Sequence, residues 1–188
     1  MGQQQSSQIL EICVDLDFDN YMSHKEIKSL VDQVRYCYSY NRRAEVPSRL
    51  LIAGCSSKTW KLMKERDARL WNTEFIELYK QPIDEILSNV VYLTADASET
   101  LEKIDYSCTY VIGGIVDRNR HKNLCYEKAI KLGMRVARLP LQEHIDLSMS
   151  PVLTVNQVFA IMLDFNRTGN WNSLKTSIPQ RRQEVDDN

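Results

Sequence analysis

The chain has 188 residues, of which 43% are hydrophobic and 26% charged, and its formal net charge is −1. This length and composition predict one domain with a single core. The near-neutral charge excludes a global basic field, so binding to nucleic acid would require a local basic patch. No apolar run reaches the ~18 residues of a membrane span, and no hydrophobic signal region begins the chain, so we expect a soluble protein.

Cysteine and histidine are spaced in a way that predicts neither disulfides nor a metal site. The five cysteines are odd in number and widely separated, and no two of them form a C-x-x-C pair. This pattern favours a reducing compartment over a disulfide framework. The histidines are isolated from one another and from any cysteine pair, so we predict no structural metal.

Strand and helix patterns alternate through the N-terminal half. Residues 9–18 alternate as a first strand. Ser23 and Glu26 match a capping box, and the apolar spacing that follows predicts a helix ending near Asn41. The next segments predict strands at 49–53, 75–78 and 90–93 and helices at 59–70 and 98–104.

The most informative segment runs from Tyr110 to Lys122. Its β-branched and aromatic residues predict a buried parallel strand. Gly113 and Gly114 allow close backbone approach, either to a ligand or to another strand. Asp117 follows, with cationic and amide side chains beside it, which is typical of an active-site edge. Neither a dinucleotide fingerprint nor a phosphate-binding P-loop sequence occurs in the chain.

The C-terminal part repeats the alternation. A helix is predicted at 123–132 with a stop at Gly133, then a strand at 134–139 that Pro140 breaks. Pro151 opens a further helix, and a last short helix is predicted at 171–176. The repeated order indicates an α/β fold with a mainly parallel sheet flanked by helices.

Six motifs occur in a fixed order along the chain, at 14–18, 91–96, 110–120, 138–141, 152–157 and 178–182. Together they resemble the tRNA guanine-9 N1-methyltransferases of the knotted SPOUT class. The resemblance covers nearly everything from Ile9 to Arg182. We therefore expect a methyltransferase domain at 9–182 between disordered tails at 1–8 and 183–188.

The resemblance implies an S-adenosylmethionine-dependent enzyme whose C-terminal part forms a trefoil knot, with the cofactor held by the knot loops. For the leucines among these loops, ordinary core packing is the alternative that the residues alone favour. The cofactor-binding residues implied are Leu93, Thr94, Gly113, Gly114, Arg118, Asn119, Lys122, Cys125, Leu139, Leu141, Leu153 and Thr154.

The resemblance assigns the position of the catalytic general base to Asp117. An ionised aspartate is a weak acceptor for the proton on guanine N1. We therefore expect Asp117 to orient guanine and relay the proton late, while Arg118 or Lys122 stabilises developing negative charge. Asp15 and Asp96 are second candidates, with turn chemistry at strand ends as the alternative.

Cationic side chains on the first long helix provide candidate RNA contacts. A solvated face with cations at the helix C-terminus is the alternative interpretation. The RNA-binding candidates in the whole chain are Arg35, Arg42, Arg43, Lys122, Arg181 and Arg182.

The expected activity is methylation of N1 of guanosine at position 9 of tRNA. Adenosine-9 methylation and a non-catalytic tRNA-processing scaffold remain alternatives. Relatives carry a basic N-terminal extension, so we expect this chain to be a catalytic fragment or a short natural form. Family resemblance further implies a monomer, and the sequence favours the cytoplasm or nucleus.

Overall fold

The computed structural model describes residues 8–71, 75–144, 153–172 and 174. Six parallel strands form one sheet: β1 (Glu11–Asp15), β2 (Arg49–Ala53), β3 (Ile76–Leu78), β4 (Val90–Leu93), β5 (Thr109–Gly113) and β6 (Arg135–Ala137). The helices are α1 (His24–Arg43), α2 (Lys58–Asp67), α3 (Ile83–Ile86), α4 (Leu124–Lys131), α5 (Leu141–His144) and α6 (Val155–Thr168). The predicted α/β class is confirmed. None of the helices in these ranges is long and apolar enough to cross a membrane.

The strands lie in the order β3-β2-β1-β5-β4-β6, so β1 and β5 occupy the middle of the sheet. A central parallel strand is covered by helices on both faces and must be apolar on both. Ile12 and Val14 accordingly belong to one core cluster and Cys13 to the other. Because all six strands are parallel, their carboxyl ends meet along one edge of the sheet.

The capping box predicted for α1 is confirmed. The Ser23 hydroxyl accepts a hydrogen bond from the Glu26 amide at 3.3 Å, and the Glu26 carboxylate accepts one from the Ser23 amide at 2.8 Å. The side chain of Gln33 reaches the first residue of α6, where its oxygen accepts from the Val155 amide at 3.0 Å. Since α1 connects two parallel strands, its first turn lies near their carboxyl ends and Arg43 at the opposite edge.

The helix predicted at 98–104 is wrong. Thr100 forms a parallel bridge with Arg138. The Leu101 amide donates to the Arg138 carbonyl, and the Arg138 amide donates to the Glu99 carbonyl, both at 2.8 Å. These backbone groups pair with the chain just beyond β6, a partner that local residue spacing cannot indicate.

Two single-turn helices, α3 and α5, were not predicted, and α5 begins directly after Pro140, where the sequence indicated only a break. The stop at Gly133 is confirmed, because that residue has φ +68° just beyond α4. Several predicted features lie outside the described residues: Arg181, Arg182, the tails apart from residue 8, half of the helix at 171–176, and the path of 145–152 through which the predicted knot would pass.

Candidate active site

A cavity of about 420 Å³ opens beyond the carboxyl ends of β4, β5 and β6. This is the edge of an open parallel sheet at which ligands generally bind. Its apolar wall is formed by Leu93, Ile112, Ile115, Leu124, Leu139, Leu141, Leu153, Val155 and Val158. Its polar wall includes Thr94, Asp96, Asp117, Asn119, His121, Cys125, Arg138 and Gln142.

The cavity brings together most of the residues predicted to bind cofactor. On its wall lie Leu93, Thr94, Gly113, Asn119, Cys125, Leu139, Leu141 and Leu153. Gly114, Arg118, Lys122 and Thr154 do not lie on the wall described. Thr154 instead caps α6, where its amide donates to the Gln157 side chain at 2.9 Å. Arg118 and Lys122 are exposed, and their expected role in stabilising developing negative charge stays a prediction.

Gly113 and Gly114 have different structural roles. A Cβ atom on Gly114 would lie 2.5 Å from the Asp15 carbonyl oxygen, so this glycine allows close approach to β1. A Cβ atom on Gly113 would lie 2.5 Å from the Cys125 sulfur and 3.3 Å from the Tyr92 hydroxyl. Gly113 also lines the cavity, and the missing side chain leaves room for Cys125 there.

Asp117 organises the loop that follows β5. Its two carboxylate oxygens accept hydrogen bonds from the amides of Asn119, at 2.9 Å, and His121, at 2.8 Å. Arg118 and Asn119 have φ values of +53° and +61°, a left-handed conformation that costs about 1 kcal/mol or more per residue outside glycine. The bonds to Asp117 offset this cost and keep its largely buried carboxylate on the cavity wall.

Contacts with neighbouring elements fix the same loop from outside. Arg120 forms a bidentate ion pair with Glu26 at the start of α1, with one bond of 3.0 Å. Hydrogen bonds from Arg120 and from the Ser23 amide lower the pKa of Glu26 to about 2. The His121 ring meets the Tyr21 ring edge-on, with 5.3 Å between ring centroids.

On the side of β4, the Asp96 carboxylate accepts from the Asn123 amide at 3.0 Å. The loop between β5 and α4 is therefore anchored to the chain after β4 as well as to α1.

A buried ion pair behind the cavity was not predicted. The Lys128 ammonium lies 2.7 Å from Asp15 and 3.2 Å from Asp17, and the Tyr92 hydroxyl donates to Asp15 at 2.9 Å. Burial lowers the pKa of Lys128, but attraction to the two carboxylates outweighs it and leaves that pKa raised. The sequence offers no local signal for a pair separated by more than a hundred residues.

Cys125 lies between this ion pair and the cavity. Burial, reinforced by the negative charge of Asp15, raises the pKa of its thiol to about 12. The side chain is therefore a neutral thiol near pH 7 and contributes polarisable packing to the wall.

Four of the predicted RNA-binding residues lie within the described part of the chain, and all four are exposed: Arg35, Arg42, Arg43 and Lys122. Arg42 and Arg43 are exposed in the last turn of α1, about 28 Å along the helix axis from its first residue, at a rise of ~1.5 Å per residue. Arg35, on the same helix, lies 3.9 Å from Asp32. Lys122 is exposed beside the cavity, so the structure does not bring these four cations into one patch.

A parallel α/β sheet with an open cavity of mixed apolar and polar lining beyond three of its strands defines the class of α/β folds in which small ligands generally bind at the carboxyl edge of the sheet. The chain belongs to the tRNA (guanine(9)-N(1))-methyltransferase TRM10/TRM10A family, whose sequence profile matches residues 1–183.

Individual relatives agree with this assignment. The chain is 37% identical over 179 residues to tRNA methyltransferase 10 homolog A of Rattus norvegicus, covering 94% of this chain and 53% of the rat protein. It is 37% identical over 188 residues to the tRNA (guanine(9)-N1)-methyltransferase of Kluyveromyces lactis, covering 97% of this chain and 62% of that protein. The chain thus spans little more than half the length of these relatives.

The crystal structure of a full-length spTrm10–SAH complex is a close structural match. It has a TM-score of 0.82 and 33% identity, and the alignment covers 90% of this chain and 95% of that chain. A Trm10 structure from Sulfolobus acidocaldarius, at a TM-score of 0.60 and 18% identity, supports the fold alone.

Proposed function

We propose that this chain transfers a methyl group from S-adenosylmethionine to N1 of guanosine at position 9 of tRNA. The observation that carries the proposal is the cavity beyond β4, β5 and β6 in a member of a family named for this reaction. The likeness to spTrm10, crystallised with SAH, supports the same choice of methyl donor.

The side chains that line the cavity suit S-adenosylmethionine. Aliphatic side chains such as Leu93, Leu139 and Leu153 provide apolar surface for an adenosine group. The carboxylates of Asp96 and Asp117 complement the positive sulfonium and ammonium groups of the molecule. When bound, S-adenosylmethionine supplies an electrophilic methyl group.

Positioning is the main contribution of the protein to such a transfer, because the displacement requires the entering nitrogen in line with the methyl carbon. The loop from Asp117 to Asn123 is suited to this role. Asp117 fixes it internally, Glu26 holds it through Arg120, and Asp96 holds its far end. A fixed edge of this kind can orient a guanine base at the mouth of the cavity.

The substrate partner in this proposal is tRNA. A near-neutral chain meets it through local basic side chains rather than through its overall charge. Position 9 must leave its stack to reach the cavity, so shape and backbone contacts matter more than reading of base edges. We further propose that the chain acts as a monomer, in the cytoplasm or nucleus.

Single-turnover methyl transfer to two transcripts that differ only in guanine or adenine at position 9 tests the proposal. Excess protein overcomes weak RNA binding, and the modified nucleoside is identified by mass spectrometry. Formation of 1-methylguanosine on the guanine transcript alone is expected. Product on the adenine transcript, or SAH binding without any product, would contradict it, and the latter would favour a scaffold.

A further inference from the structure

The cavity wall contains a titratable side chain that forms no ion pair and no side-chain hydrogen bond among the described residues. In the described part of the chain, the titratable side chains on the wall are Asp96, Asp117, His121, Cys125 and Arg138. Their hydrogen bonds decide which of them is available to exchange a proton with a bound base.

The two carboxylates are engaged as acceptors in the loop. Both carboxylate oxygens of Asp117 accept hydrogen bonds from backbone amides. The Asp96 carboxylate accepts a hydrogen bond from the amide of Asn123. Backbone donors thus occupy both oxygens of Asp117 and one oxygen of Asp96. Their geometry indicates a role in holding the loop.

Two of the remaining three groups, Arg138 and Cys125, are unsuited to accepting a proton near pH 7. Arg138 is a permanent cation and pairs with Glu143 at 3.1 Å. Cys125 is a neutral thiol whose pKa burial raises to about 12.

His121 remains. Its imidazole nitrogens have no hydrogen-bond partner among the described residues, and its backbone amide is the donor that binds Asp117. The ring is oriented by edge contact with Tyr21 rather than by a polar bond. Imidazole is the side chain most often used for proton transfer near neutral pH.

We propose that the His121 imidazole takes the N1 proton of the target guanine, which makes His121 a catalytic residue. This inference rests on the function proposed above. The N1–H bond breaks and its proton moves to an imidazole nitrogen. The electron pair left on N1 forms the bond to the methyl carbon, and the pair of the old carbon–sulfur bond stays on sulfur. His121 is exposed, so the proton then passes to water.

The charged groups around His121 define its electrostatic setting. Asp117 lies beneath its amide, and the Arg120–Glu26 pair lies on the α1 side. Lys122 adjoins it in sequence, and Asp96 binds the far end of the loop. Tyr21 contributes an uncharged ring. Protonation of the imidazole at low pH removes its acceptor, so the rate is expected to fall on the acid side.

The test compares wild-type protein with His121→Ala in single-turnover methylation across a pH series. The expected result is a rate lower by roughly 100-fold, a typical contribution of a general base. The fall in methylation rate on the acid side of the pH profile should be absent in His121→Ala. Added imidazole should restore part of the rate of this variant. His24→Ala is the matched control, because His24 is an exposed histidine that does not lie on the described cavity wall. Its rate and profile should match the wild type.

A second readout does not depend on turnover. The ring signals of His121 in nuclear magnetic resonance spectra should shift when a guanine-9 transcript is added to protein saturated with SAH, and shift less with adenine-9. His121→Ala should remain folded and should still bind SAH.

Two results would overturn the inference while leaving the proposed function standing. One is wild-type methylation with an unchanged rate in His121→Ala. The other is a slower variant that keeps the acid limb and gains nothing from imidazole, which would indicate a packing role. Absence of methylation by the wild type would instead count against the proposed function itself.

Discussion

Lys128 holds its ammonium group 2.7 Å from the carboxylate of Asp15, which has no solvent exposure. Tyr92 binds the same carboxylate, and the Tyr92 hydroxyl lies 3.3 Å from where a Cβ of Gly113 would be. The ion pair therefore supports the cavity wall from behind, although no part of it belongs to the wall described.

Lys128→Met is expected to lower the free energy of unfolding by about 3 kcal/mol, because it leaves a buried carboxylate without its cation and with only the Tyr92 hydroxyl and the Asp17 amide as donors. Urea denaturation measures the loss. Lys131→Met is the control, since Lys131 is exposed on the same helix, and it should change stability little. Equal stability of the two variants would contradict the role assigned to the pair.

Gly114→Ala is expected to lower the free energy of unfolding by about 2–3 kcal/mol. The added Cβ would meet a backbone oxygen of β1 that cannot move independently. Gly113→Ala is expected to cost less, since the clashing atom is the Cys125 sulfur at the end of a side chain. Adding Cys125→Ala should recover part of the Gly113→Ala loss but none of the Gly114→Ala loss. Denaturation of the four variants checks this order, and a reversed order would contradict it.

Glu26→Gln is expected to remove an acid-dependent part of the stability. The pKa of Glu26 in the folded protein is about 2, below the ordinary value of ~4.3. Its contribution is therefore fully present above the ordinary value and is lost as the pH falls towards 2. Glutamine retains the capping box, so the variant isolates the charge.

The stability difference between wild type and Glu26→Gln should shrink from pH 7 to pH 2 in urea denaturation. Glu65→Gln provides the comparison at an exposed glutamate on α2. A difference that stays constant over this range would show that the pairing with Arg120 does not depress the Glu26 pKa.

Asp117→Asn is expected to loosen the loop after β5, because an amide group cannot accept both backbone hydrogen bonds. Hydrogen exchange at the amides of Asn119 and His121 should accelerate by roughly tenfold or more, which corresponds to the loss of about one net hydrogen bond. Methyl transfer should fall only in part. Unchanged exchange together with complete loss of activity and intact SAH binding would instead indicate that Asp117 is itself the base.

Much of the fold follows from local sequence. The strands at 49–53 and 90–93 have the predicted bounds, and the capping box at Ser23 locates α1. These segments carry their own signals, since apolar spacing and caps act within a few residues. The prediction for the segment around Thr100 is wrong because its conformation depends on pairing with Arg138, which is distant in sequence.

In the candidate site, too, features set by nearby residues were predictable from the sequence, and contacts between distant residues were not. The strand ending in Gly113 and the carboxylate of Asp117 are recognisable from sequence, and the structure places both on the cavity wall. The outward direction of Arg118 was not predictable, because it depends on a left-handed turn held by Asp117. The partnership of Asp15 with Lys128 requires the complete fold.

We propose that this chain methylates guanine 9 of tRNA through the cavity beyond β4, β5 and β6. The most direct test is single-turnover methylation by wild type beside Ala95→Trp, which fills the mouth at an exposed position of the wall. Ala68→Trp, exposed at the end of α2, is the control. We predict 1-methylguanosine at position 9 with wild type and Ala68→Trp, and neither SAH binding nor product with folded Ala95→Trp. No product from the wild type, or equal product from all three proteins, would contradict the claim.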